Sequence, residues 1–206
     1  MLNELERRII DISFKYRLSH IGSSLSVVNY LDEIYKIKDK NEPFILSNGH
    51  AGLALYVVLE KYNYKNAEYL IRKHGTHPNR NLDDGIWCST GSLGMGLSVA
   101  IGMALADRNK NVYVTISDGE CAEGSIWESL RIARDFELRN LKITCIANGF
   151  SALGKIDLDY LKNRLKAFYT VDMVRINMSR FPDWLQGLEG HYHVITKEEY
   201  EKIICQ

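Results

Sequence analysis

At 206 residues the chain has room for one α/β domain with a substantial core, and too little for two large ones. Its 46% hydrophobic and 25% charged residues are those of an ordinary soluble globular protein, and 26 basic against 26 acidic residues leave no basic excess for a nucleic-acid footprint. No apolar run approaches a membrane span. The opening Met1-Leu-Asn-Glu-Leu-Glu-Arg-Arg mixes charge with apolar residues rather than forming a secretory core. Cys88, Cys121, Cys145 and Cys205 form no CxxC, which argues against a metal cluster or disulfide framework, so a reducing cytoplasm is the expected compartment.

Leu5, Ile9, Ile12 and Tyr16 recur at helical spacing and predict a first helix, which ends before the loop Ser19-His20-Ile21-Gly22-Ser23-Ser24. A second helix is expected over Val27 to Ile37, a short strand over Phe44 to Leu46, and a third helix over Ala51 to Lys61. His74 to Ser89 is polar, contains Gly, Pro, Asn and Asp, and reads as a long loop. Gly91-Ser-Leu-Gly-Met-Gly96 opens a helix of small and apolar residues to about Ala106. Val112 to Ile116 is a strand, Ile126, Leu130 and Ala133 mark one face of a helix starting near Gly124, and Leu141 to Ala147 is a second apolar strand. Strand, helix and strand with short connections predict a βαβ unit with parallel strands. In the final third, the sequence supports a strand near Val171 to Ile176 and a helix from about Lys197. With no linker or repeat, residues 1–206 are expected to form a single domain.

Ligands of open parallel sheets lie beyond the carboxyl ends of the strands. Asp118 and Asn148 stand at two such ends, in Ser117-Asp118-Gly119-Glu120 and Asn148-Gly149. If the strands are neighbours, both side chains reach one crevice. An Asp, an Asn and a backbone carbonyl make an incomplete oxygen shell, suited to Mg²⁺ or Ca²⁺ when a diphosphate completes it. The helix start near Gly124 favours anions through its dipole. Asp-Gly and Asn-Gly are also common turn dipeptides with no ligand at all. Gly91 to Gly96 has GxxGxG spacing rather than the dinucleotide GxGxxG and is weak evidence for phosphate contact by itself.

Six segments, in order, resemble transketolases. Ser19-His-Ile-Gly22 is similar to the family's SGHPG, Phe44 to Ala51 to its VLSNGHA, and Thr76-His-Pro78 to its GHPE. Ser89 to Gly96 is similar to TTGPLGQG, and Ser117 to Glu128 followed by Asn148-Gly149 to the thiamin-diphosphate motif, GDG and a later Asn. Gly190-His-Tyr-His193 with Glu198-Glu-Tyr200 resembles the WHY…EEEY that closes the family's first domain. The resemblance implies a thiamin-diphosphate-binding (diphosphate, or PP) domain, an α/β fold whose parallel sheet is flanked by helices. It implies that Asp118, Asn148 and the Phe150 carbonyl hold the Mg²⁺ (or Ca²⁺) against the diphosphate, and that Gly119 lets backbone approach it. Gly91, Ser92 and Leu93 would lie toward the pyrimidine end of the cofactor. Glu120 and Glu123 are placed among the cofactor-binding residues, and Glu123 would also link the cofactor sites of the assembly. His20, His50, His77 and His191 correspond to family histidines that bind substrate oxygens or the diphosphate, or move protons; His50 is placed on the cofactor as well.

The family's activating glutamate lies in the pyrimidine-binding domain, expected just beyond Gln206. The implied protein is therefore the N-terminal half of a split transketolase. It would move a two-carbon ketol unit from a ketose phosphate, or another activated sugar, to an aldose. Its partner would be a second chain bearing the pyrimidine domain and that Glu, in an α₂β₂ assembly. Ser117 and Ala147 replace a Gly and an Asp of the family pattern, and Ile21 and Ser92 replace prolines, which motivates a specialised sugar pathway. A 1-deoxyxylulose-5-phosphate synthase-like or 2-oxo acid dehydrogenase-like subunit, and a catalytically silent scaffold, are the rival readings.

Overall fold

The computed structural model describes residues 2–205. In chain order these form α1 (Glu4–Tyr16), α2 (Ile21–Ile37), β1 (Phe44–Leu46), α3 (Gly52–Lys61), α4 (Ala67–His74), α5 (Met95–Ala106) and β2 (Val112–Ser117). They continue with α6 (Gly124–Asp135), β3 (Leu141–Ala147), the small pair β4 (Phe150–Ser151) and β5 (Gly154–Lys155), α7 (Leu158–Phe168), β6 (Asp172–Arg175), α8 (Gly187–Tyr192) and α9 (Lys197–Ile204). The described residues group into two compact units, a helical one of residues 2–37, 50–76 and 177–205 and a sheet-containing one of residues 38–49 and 77–176.

The sheet unit carries four parallel strands in the order β1-β2-β3-β6. The expected βαβ unit is present: β2 and β3 run in register from Val112↔Leu141 to Ser117↔Ile146, with α6 between them in sequence. Along β3 only Lys142 is exposed, a nearly unbroken apolar run of the kind parallel strands need when both faces are covered. α5 packs on β1, β2 and β3, and α6 packs on α5 and α7. Val114, Ile116, Leu97, Ala100, Ile126, Leu130 and Cys145 form the centre of this core, each large aliphatic side chain contributing about 1.5–3 kcal/mol by leaving water.

In the helical unit, α1 starts with a reciprocal cap: Asn3 Oδ1 accepts from Glu6 N–H at 2.9 Å and Glu6 Oε2 accepts from Asn3 N–H at 3.1 Å. Arg17, left-handed at φ 52°, ends it. α2 begins at Ile21, six residues before the sequence expectation of Val27. The serines of its first turns mask the apolar rhythm, but Ser26 Oγ bonds back to the Gly22 carbonyl at 2.7 Å, so its hydroxyl is satisfied inside the helix. Most of the expected loop at His74 to Ser89 is irregular, with one 3₁₀ turn at Leu82–Asp84.

Candidate active site

Because the sheet is parallel, β1, β2 and β3 end at one edge, and each ends in a polar loop: Ser47-Asn48-Gly49, Ser117-Asp118-Gly119-Glu120 and Asn148-Gly149-Phe150. Asp118 is 3% exposed. Its Oδ1 accepts from Gly119 N–H at 3.0 Å, and its Oδ2 crosses to the neighbouring strand end and accepts from Gly149 N–H at 2.7 Å. The acidic and the amide loops therefore meet. Asn148 Oδ1 accepts from Phe150 N–H at 2.9 Å, which shapes the turn that follows β3. An added Cβ on Gly119 would stand 3.4 Å from Ser151 Cβ and 3.8 Å from the Phe150 oxygen, so bare backbone faces the same turn. Burial pushes the Asp118 carboxyl up to about 6, against the pull of N–H groups from Gly149, Gly119, Asp118 and Asn148.

The Gly91–Gly96 turn forms a second wall. Gly94 has φ +80°, and an added Cβ there would meet Ser125 Oγ at 2.4 Å and Glu123 Cβ at 2.9 Å. Gly91 faces the ring of His77, whose Cδ2 would be 3.3 Å from a Cβ. Gly91 and Ser92 are exposed and Leu93 is half-buried. Glu123 is exposed, while Glu120 is fully buried, and its carboxylate accepts from Ser47 Oγ at 2.6 Å, Gly94 N–H at 2.9 Å and Ser117 N–H at 2.9 Å. Burial raises the Glu120 carboxyl, and these donors oppose the rise. Both its oxygens are thus engaged within the chain.

In the helical unit three imidazoles cluster: ring centroids are 4.4 Å apart for His20–His191, 5.3 Å for His50–His191 and 5.5 Å for His20–His50. His20 holds a left-handed φ of 62°, and its N–H donates to the His191 carbonyl at 3.0 Å. Burial lowers the His191 pKa, which favours the neutral ring. The structure thus brings His20, His50 and His191 together, and sets His77 against Gly91.

Residues outside the sequence-predicted set also belong here. Ser47 is fully buried on Glu120, and Asn48 Oδ1 and Thr90 Oγ1 are buried with no hydrogen-bond partner among the described residues. The signal for Ser47 and Asn48 was available, since Ser47-Asn48-Gly49 ends a strand just as Asp118-Gly119 and Asn148-Gly149 do. Among the described residues no three His, Cys, Asp or Glu side chains form a metal cage. Protein ligands would be limited to the Asp118 carboxylate, the Asn148 amide and a backbone carbonyl. That hard, oxygen-only and incomplete donor set fits a Mg²⁺ or Ca²⁺ that also takes phosphate oxygens. The glycine-bared backbone and the two unpaired buried oxygens fit a polar ligand at the same edge.

A parallel sheet with a carboxylate, an amide and bare glycine backbone at adjoining strand ends defines an α/β protein built to bind its ligand at the carboxyl edge. The profile of the family described as "Transketolase, thiamine diphosphate binding domain" matches residues 10–177. The chain belongs to the transketolase family, in its thiamine diphosphate binding domain. It is 33% identical over 186 residues to an apulose-4-phosphate transketolase subunit of Phocaeicola vulgatus, covering 79% of this chain and 66% of that protein. It is 36% identical over 159 residues to the 6-deoxy-6-sulfo-D-fructose transketolase subunit SqwG of a Clostridium strain, covering 68% of this chain and 58% of that protein. The chain thus spans less than two thirds of the length of these relatives. Among solved structures, transketolase from Leishmania mexicana superposes with a TM-score of 0.66 at 20% identity, over 83% of this chain and 35% of that one. No helix among the described residues is long and apolar enough to cross a membrane.

Proposed function

We propose that this chain, residues 1–206 acting as one domain, is the diphosphate-binding subunit of a split transketolase. It transfers a two-carbon ketol unit from a ketose to an aldose with thiamin diphosphate and Mg²⁺. The observation that carries this reading is the 2.7 Å bond from Gly149 N–H to Asp118 Oδ2, which joins the two loop tips expected to share one cation. Asp118, Asn148 and the Phe150 carbonyl would hold the metal, Gly119 would admit the diphosphate, and Gly91, Ser92 and Leu93 would line the far end of the cofactor. When bound, the cofactor supplies the carbon nucleophile that breaks and remakes the carbon–carbon bond. His20, His50, His77 and His191 would orient substrate oxygens and carry protons, and a neutral His191 suits a proton acceptor.

The activating glutamate would come from a second, pyrimidine-domain chain in an α₂β₂ assembly. Two features support a partner. Similar proteins are themselves named as subunits of transketolases. The twelve residues of α5 include no charge, yet Met95, Val99 and Leu105 are 51%, 38% and 36% exposed. Those relatives are also named for uncommon sugars, which supports a specialised sugar substrate. The test is reconstitution with a pyrimidine-domain transketolase subunit from the same organism. Ketol transfer that needs both chains, thiamin diphosphate and Mg²⁺ is expected. Cofactor binding absent from the reconstituted pair would overturn the proposal.

A further inference from the structure

Glu120 is the most deeply buried carboxylate of the loop after β2, and its engagement is unusual. It is 0% exposed, one residue past Gly119, yet among the described residues it makes no ion pair; its partners are a hydroxyl and two backbone N–H groups. Those donors belong to three separate chain segments: Ser47 just past β1, Ser117 at the end of β2, and Gly94 in the glycine turn before α5. Ser117 Oγ returns the contact by accepting from Glu120 N–H at 3.2 Å. A buried carboxylate is costly unless every oxygen is satisfied, so each of these segments is held at the distance the carboxylate sets.

The backbone around it is interlocked by contacts that leave no room for a side chain. A Cβ on Gly96 would stand 2.7 Å from Ser47 Cα, and one on Gly49 would stand 2.6 Å from the Thr90 carbonyl carbon. With the Gly94 contacts to Glu123 and Ser125, the glycine turn abuts both strand-end loops. The Glu120 side chain hydrogen-bonds the turn and both of those loops at once. Its neighbour Asp118 meanwhile spans to the third loop through Gly149. The two nearby carboxylates divide the work: Asp118 joins the β2 and β3 ends, and Glu120 joins the β2 end to β1 and the turn.

Resting on the cofactor reading above, we propose that Glu120 is a positioning residue, which fixes the Gly91–Gly96 turn against the acidic loop so that the cofactor meets a preformed wall. It acts through Gly94 and Ser47, with both of its carboxylate oxygens engaged by donors of this chain. A purely structural carboxylate would lower the melting temperature when changed, with cofactor affinity intact at temperatures well below melting. A positioning residue loses affinity there.

The experiment compares wild type, Glu120→Gln and the milder Ser47→Ala, each in the full chain with its pyrimidine-domain partner. Thiamin diphosphate affinity is measured by calorimetry with Mg²⁺, and amide exchange is followed across residues 91–96. Gln keeps the size but sets an amide N–H₂ against donors that need an acceptor. Exchange at Gly94 should accelerate and the dissociation constant should rise by about tenfold or more in Glu120→Gln, as loss of a hydrogen bond to a charged group predicts. Ser47→Ala should shift both in the same direction by less. Unchanged affinity in both variants, with tight binding by wild type, would overturn the positioning role alone. No binding by wild type would overturn the cofactor reading, and this proposal with it.

Discussion

Asp118 is a carboxylate that the fold keeps nearly dry yet surrounds with N–H donors. With its pKa raised to about 6, the folded chain binds a proton there that the unfolded chain, with an ordinary carboxyl near 3.8, has already lost. Between those values the folded state carries more protons, so this group's contribution to stability falls as pH rises through the window. A divalent cation needs the same carboxylate ionised. Its affinity should therefore climb with pH toward about 6 and level off above it. Asp118→Asn should flatten the pH dependence of thermal stability and abolish Mg²⁺-dependent cofactor binding with the fold intact; melting curves and Mg²⁺ titrations across that range check both. His77 makes a different prediction. It is exposed and lies against Gly91, and its proposed place on the substrate side means that His77→Ala should lower turnover more than thiamin diphosphate affinity. A loss confined to cofactor affinity would refute its assignment to the substrate side.

Two glycines of α5 separate what a helix needs internally from what it presents outward. Gly96 is buried, and a Cβ there would press on Ser47 at 2.7 Å, whereas Gly102 is exposed with nothing within 4 Å. Gly96→Ala should destabilise the isolated chain by about 1–3 kcal/mol, the cost of overpacking. Gly102→Ala should stabilise it by about 0.5–1 kcal/mol through helix propensity. Chemical denaturation of the two variants reads the contrast, and equal effects would contradict the packing described. The sequence made the parallel βαβ core legible because β3 is apolar at nearly every position and α6 repeats Ile126, Leu130 and Ala133 on one face. α4 was missed because its eight residues are charged on the outside and bury only Ala67, Leu70 and Ile71; its start is legible only as Asn66, which caps Glu68 and Tyr69. α7 was missed likewise, with Leu161 and Leu165 buried and Asp157 as its cap. Loop tips were readable because turn dipeptides end apolar strands. The Glu120 network was not, since its partners are a residue past β1 and a backbone N–H in a turn, and no sequence spacing encodes that meeting.

For the whole molecule, the proposed split assembly requires a surface where a second chain would sit. α5 supplies a candidate within the sheet unit: Met95, Ser98, Val99, Gly102 and Leu105 recur at helical spacing, are all exposed, and include no charge. Met95, Val99 and Leu105 leave large apolar side chains in water along this face, and once buried against a partner it excludes any unpaired charge. Val99→Asp places a carboxylate in the middle of this stripe. In the isolated chain the residue is 38% exposed, so the variant should fold and melt like wild type. In the presence of the pyrimidine-domain partner it should fail to co-elute on size exclusion, and ketol transfer by the pair should vanish. An exposed-surface control, Phe136→Asp on the loop after α6, should keep both assembly and turnover, since Phe136 is 52% exposed and lies outside α5. A Val99→Asp chain that still co-elutes with its partner at wild-type affinity would place the interface elsewhere and leave the apolar face of α5 without its explanation.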